Sequence, residues 1–126
     1  MHDDSLTLYE RVGGEPTFRR LVDTFYAKVE ADPVLRRIFP SALEEGKHWQ
    51  RLFLIQFFGG PTTYAEERGH PRLRMRHFPF PIDQQARDHW LHHMLEAIDE
   101  AGIEEPMRQE MRDYFERAST HMINTE

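Results

Sequence analysis

Tyr26, Gln50 and Trp90 carry a phenol, an amide and an indole N–H on stretches whose apolar residues recur with helical period. Each therefore puts a hydrogen-bonding group on a face that otherwise enters a core, where it needs a partner. Any one of them alone is most simply satisfied by a nearby carbonyl or a water. Together they allow a second reading, in which three polar groups converge on one small polar ligand. Gly46, one turn before Gln50 on the same face, leaves room for such a guest.

The segment from Gly69 to Pro81, GHPRLRMRHFPFP, offers a different chemistry. It holds Arg72, Arg74 and Arg76 with His70 and His77 and no acid, in a chain of 16 Lys plus Arg against 22 Asp plus Glu. A solvated basic loop pairing with the surplus carboxylates accounts for this run. So does an anion site, since guanidinium forks suit carboxylate or phosphate. His77 is followed by Phe78-Pro79-Phe80-Pro81, where each proline disfavours helix at the residue before it, so His77 should end a turn beside an aromatic patch. Arg74 and Arg76, if close, disfavour imidazolium and keep a neutral nitrogen available to a metal. A histidine in an apolar setting is more often a hydrogen-bonded core residue. The set of imidazole, flanking guanidinium groups and aromatic walls nevertheless meets the needs of haem: an axial ligand, propionate partners and a dry pocket.

His89, His92 and His93 with Glu96 form a second cluster, in which His89/His93 and His92/Glu96 have the i, i+4 spacing of a helical metal site. A non-haem metalloenzyme using His89, His93, Glu96 and a remote carboxylate is the alternative function. On a wheel centred on Trp90 and Ala97, however, His92 points outward and His89 lies at the margin, which predicts solvent exposure. The HExxH, EF-hand, GxxxxGKS and GxGxxG patterns are missing, and Ser5, Ser41 and Ser119 lack the context of an activated serine. With 0 cysteines, disulfides, thiolate zinc sites, iron–sulfur clusters and haem attached through CxxCH are excluded.

The elements that must hold these groups are helices. Between Pro16 and Asp32, Phe18, Leu21, Val22, Phe25, Tyr26 and Val29 make one buried stripe. Asp32-Pro33 reads as the cap and first residue of a short helix through Ile38. Ala42 to Phe58 predicts a third helix with Leu43, Gly46, Gln50, Phe53, Leu54 and Phe57 on one side, closed by Gly59-Gly60-Pro61. Residues 62–81 are expected to be loop and short turns because of Gly69, Pro71, Pro79 and Pro81. A long helix from Asp83 to Gly102 buries Ala86, Trp90, Met94, Ala97, Ile98 and Ala101. A last one from Pro106 buries Met107, Met111, Tyr114, Phe115, Ala118 and Met122. No segment alternates as a strand, so the class is all-α, with two helix pairs flanking an irregular middle.

At 126 residues the chain, 1–126, is expected to be one domain, and 39% apolar content with 9 Phe argues against disorder. A net charge of −6 opposes nucleic acid and anionic membrane as partners. The start, MHDDSLTLYERVGG, has neither a basic nor an apolar leader segment and no apolar run approaches a membrane span, so a cytoplasmic protein is expected.

With Tyr26, Phe39, Gly59-Gly60-Pro61, the GHPRLRMRH run and Trp90 in this order, the sequence resembles group II truncated haemoglobins over roughly Leu8 to Asn124. The resemblance implies a two-over-two helical sandwich holding one b-type haem. It implies His77 as the iron ligand on one side, and Phe39, Phe53, Tyr64, Arg74, Arg76 and Trp90 around the cofactor, with Tyr64 and the arginines near the propionates. Tyr26, Gln50 and Trp90 match the donors to an iron-bound diatomic on the other side, with Gly46 where many globins carry a histidine. Phe39 stands where some members have a tyrosine, so one donor fewer is expected. Dioxygen and other small diatomic ligands are the implied partners, and homo-oligomer formation is left open. Nitric oxide or peroxide chemistry is compatible with the family but needs an unidentified reductase, because no flavin or nicotinamide motif is visible.

Overall fold

The computed structural model describes residues 6–126, so Ser5 lies outside the described residues. The chain forms α1 (Leu8–Arg11), α2 (Glu15–Glu30), α3 (Pro33–Arg36), α4 (Glu44–Phe57), α5 (Thr63–Arg68), α6 (Leu73–His77), α7 (Gln84–Glu100) and α8 (Met107–His121). No strand occurs among the described residues, as the pattern predicts, and no helix among them is long and apolar enough to cross a membrane.

The stripe on α2 is the spine of the molecule. Phe18, Leu21, Val22, Phe25 and Val29 have no solvent exposure, and α2 packs on α4 on one side and on α7 on the other. Helix α7 in turn packs on α8, which produces the two expected pairs, α2 with α4 and α7 with α8, joined through α2 and α7. Apolar area removed from water stabilises by about 25 cal/mol per Å², and the shared α2/α7 seam holds the fully buried residues Phe25, Met94, Ala97 and Ile98. Asp32 and Asp83 cap the N-termini of α3 and α7 by accepting the Val34 and Ala86 N–H groups at 2.8 Å each.

Three local expectations change. Helix α1 carries too short a stripe to be read from periodicity; a Thr7–Glu10 capping box builds it, and Tyr9 N–H donates to the Phe58 carbonyl at 2.9 Å. The Gly59-Gly60 break lets α1 approach, because a Cβ on Gly60 would stand 2.7 Å from Ile55 Cγ2 and 2.8 Å from the Tyr9 ring. Second, Trp90 is half-buried rather than buried, and Leu91 takes its place in the core with Met94, Ala97 and Ile98. Third, α4 buries only Leu54 and Ile55; Leu43, Gln50 and Phe53 form a half-buried wall, and Phe57, expected inside, is 50% exposed beyond it. The α4 stripe is the wall of a cleft rather than a core face, and a wheel cannot tell those apart.

Candidate functional site

Helices α2, α3, α4 and α7 bring one set of predicted residues together. Tyr26, 8% exposed near the end of α2, has its ring 6.1 Å from Phe39 and edge-on to Phe25 at 5.5 Å. Its hydroxyl faces Gly46 of α4 so closely that a Cβ there would be 3.1 Å away. The phenol has no hydrogen-bond partner among the described residues, and burial pushes its pKa up to about 12, so it remains a neutral O–H donor. One turn along α4, the Gln50 side-chain oxygen is buried and unpartnered. Trp90 joins through Phe25, whose ring centroid is 5.1 Å from the indole, and packs on Phe115 at 5.8 Å. Buried polar atoms in native proteins are nearly always bonded, so an orphaned amide oxygen and a phenol without a partner on one cleft wall point to a polar guest.

His77 ends α6, as the proline pattern predicts, and is half-buried. Its Nδ1 lies 2.6 Å from the carbonyl oxygen of Leu73 one turn earlier. A carbonyl only accepts, so Nδ1 carries a hydrogen, and in the neutral tautomer the free lone pair is on Nε2. A backbone acceptor on the far nitrogen fixes the tautomer and raises the basicity of a metal-binding histidine. The turn is held from outside as well. Asn124, beyond α8, donates from Nδ2 to the His77 carbonyl at 3.2 Å and to that of Phe80 at 3.0 Å, and its Oδ1 accepts the Ile82 N–H at 2.9 Å. Arg72 enters α6 in the left-handed region at φ 46°, with its N–H donated to His70 Nδ1 at 3.1 Å. A non-glycine residue there is uncommon and stores strain next to His77.

The basic run does not pair with the surplus carboxylates: Arg72, Arg74 and Arg76 have no ion pair among the described residues. Arg76 Nε donates to the Pro71 carbonyl at 2.9 Å, and Arg74 Nε to that of His121 at 3.0 Å while its guanidinium lies over the Phe78 ring. Arg72 and Arg74 rim an open groove of about 620 Å³ against Phe57, Tyr114 and His121; none of Tyr26, Gln50, His77 and Trp90 lines it. Tyr64, 2% exposed, packs edge-on to Trp49 and Phe53 of α4, with ring centroids at 5.8 and 5.7 Å.

The match extends to known proteins. The bacterial-like globin family model matches residues 7–124. The chain belongs to that family. This globin is 46% identical over 116 residues to the group 2 truncated hemoglobin YjbI of Bacillus subtilis, covering 92% of this chain and 87% of that one. Among solved structures it is similar to the hemoglobin of the thermophilic phototroph Chloroflexus aurantiacus, at 63% identity and TM-score 0.93, covering 94% of this chain and 98% of the other. It is also similar to the group II truncated hemoglobin of Bacillus anthracis, at 42% identity and TM-score 0.92, covering 95% and 92%. The fold of the globin is therefore the two-on-two truncated form. Sequence reasoning singled out Tyr26, Gln50, Trp90 and His77 as candidates and did not reach the Leu73 carbonyl or Asn124. A backbone acceptor leaves no mark on residue type, and Asn124 sits in a tail with no periodic pattern.

Proposed function

We propose that this globin binds one haem b with His77 Nε2 as the iron ligand and reversibly binds dioxygen on the opposite side, beneath Tyr26, Gln50 and Trp90. The observation that carries the reading is the His77–Leu73 hydrogen bond, which leaves a bare, basic nitrogen at the end of α6. The residues present fit the group: an imidazole whose Nδ1 is tied to a backbone carbonyl, a half-buried apolar wall on α4, the unpartnered Gln50 oxygen and the small Gly46.

Haem, when bound, would supply ferrous iron as the binding point for a diatomic ligand that carries partial negative charge. Tyr26 donates from its hydroxyl toward that charge, and its raised pKa keeps the proton in place across the neutral range. The Trp90 indole N–H is a second donor. The Gln50 amide offers its N–H2 to the guest or its oxygen to a water. Phe39 adds hydrophobic wall and no donor. Hydrogen bonds to a charged acceptor contribute about 1.5–3 kcal/mol each, so losing one accelerates ligand escape by about tenfold or more. Arg76, Tyr64 and Arg74 are the proposed partners of the propionates. Phe53, the ring against Tyr64, is proposed to touch the porphyrin. Nitric oxide or peroxide turnover belongs to this reading only with electrons from a separate reductase.

Absorption spectra of purified protein in ferric, ferrous and carbonyl forms provide the test. A five-coordinate ferrous state that is lost in His77→Ala, together with saturable haem uptake, supports the assignment. A native spectrum in His77→Ala overturns it.

A further inference from the structure

A second constellation stands where α2, α3 and α7 meet, and the oxygen-binding reading uses none of it. Asp32 follows α2 and caps α3, with Oδ1 accepting the Val34 N–H at 2.8 Å. Its other oxygen, Oδ2, faces α7 and lies 2.8 Å from His89 Nδ1 and 2.7 Å from His93 Nε2. The two histidines are one helical turn apart, so both rings reach the same carboxylate. The three ligand atoms lie within 4.8 Å of one another. His93, 17% exposed, and Asp32, 8% exposed, form the inner part, while His89 opens to solvent. Burial would raise the Asp32 pKa, but the two imidazoles and the Val34 amide outweigh it and hold the carboxyl well below its usual range. Asp32 stands as the remote carboxylate that the sequence reading required but did not name when it paired His89 and His93 with Glu96.

We propose that Asp32, His89 and His93 bind a divalent transition-metal ion of the zinc or copper type. Two imidazole nitrogens and one carboxylate oxygen are the donors such borderline ions take, leaving one position for water. Zinc bonds of about 2.0–2.2 Å in tetrahedral geometry separate neighbouring ligand atoms by about 3.3 Å. The present contacts therefore need to open by about half an ångström, a side-chain adjustment. Loading also moves the imidazole hydrogens: the one on His89 Nδ1 goes to Nε2 and the one on His93 Nε2 to Nδ1 through solvent, so neutral rings stay neutral. The Val34 amide supports the carboxylate from behind, as outer-shell partners do.

The surroundings favour a cation. An open hollow of about 580 Å³ in front of the cluster provides entry and is lined by Asp88 and Glu96. Lys28, its one lysine, is engaged by Glu100 at 2.6 Å and Glu96 at 3.4 Å. Against tight binding, His93 Nδ1 is buried without a partner, so the hydrogen it gains has no acceptor. The expected affinity is therefore below that of a closed four-ligand zinc site.

Zinc ion alone, titrated calorimetrically into the full chain as purified, tests this. One zinc per chain is expected to bind, about tenfold or more weaker in Asp32→Asn and in His93→Gln, and within about twofold of wild type in His92→Ala. Asparagine still caps α3, so Asp32→Asn separates metal binding from folding. Absorption at the zinc edge should count two imidazoles even with iron present. No saturable zinc uptake, an affinity unchanged in both Asp32→Asn and His93→Gln, or a loss confined to His92→Ala overturns the proposal.

Discussion

The Tyr26 hydroxyl faces the backbone of Gly46 across the cleft, so a change at either residue acts on the other. A Cβ at Gly46 would stand 3.1 Å from that oxygen, so alanine forces the phenol to move by a few tenths of an ångström. Tyr26→Phe and Trp90→Phe are each expected to speed dioxygen dissociation by about tenfold, measured by stopped-flow ligand displacement. Unchanged rates in both would remove the proposed donor set. Gly46→Ala should speed it severalfold as well, but only through Tyr26. Combined with Tyr26→Phe it should add nothing, so fully additive effects in the double-mutant cycle count against the Gly46–Tyr26 coupling.

At the scale of elements, the five-residue α6 has to aim His77, and it is too short to do so unaided. The chain beyond α8 supplies the restraint. Asn124 bonds the carbonyls of His77 and Phe80 and the amide of Ile82, and the Asn124 N–H donates to the Ile82 carbonyl at 2.9 Å. Asn124→Ala removes the three side-chain hydrogen bonds to the 77–82 segment, and a fourth from the Thr125 hydroxyl, and is expected to cost about 1–3 kcal/mol of stability. It should also accelerate haem loss to an acceptor apoglobin by about tenfold. Wild-type haem loss with a lowered melting temperature would mean that the tail supports the fold without aiming His77. Phe25 plays the corresponding part on the other side, between Tyr26 and Trp90 with no exposure. Phe25→Ala should cost about 3–5 kcal/mol and weaken ligand retention together with stability.

For the whole molecule, one buried phenol, Tyr26, and one half-buried phenol, Tyr114, set the alkaline limit. Burial pushes both Tyr26 and Tyr114 up to about 12, against 10.0 in the unfolded chain. Between those values the folded state holds protons that the unfolded state has released, so stability is full below pH 10 and declines as pH rises toward 12. Tyr26 alone accounts for up to about 3 kcal/mol of this loss. Urea melts at increasing pH check the sign: a midpoint that stays level through this range in wild type, or a decline undiminished in Tyr26→Phe, contradicts the assignment.

The long helices, their order and the four side chains proposed for the oxygen site were legible in the sequence because helical period and punctuation by glycine and proline are local properties. Tyr26, Gln50 and Trp90 stood out as polar groups on apolar faces, and His77 as an imidazole in a proline-bounded turn. Tertiary structure decided which stripes were core and which were wall: Phe57 and Trp90 fit a wheel as well as Leu54 and Leu91 do, and only packing separates them. Tertiary structure also chose the partners. Asp32 reads locally as a helix cap, yet its second carboxylate oxygen meets two histidines more than fifty residues away. The tautomer of His77 depends on a backbone carbonyl that any residue type would supply. Residue identity specifies what a group can donate or accept, and the fold alone specifies what stands opposite it.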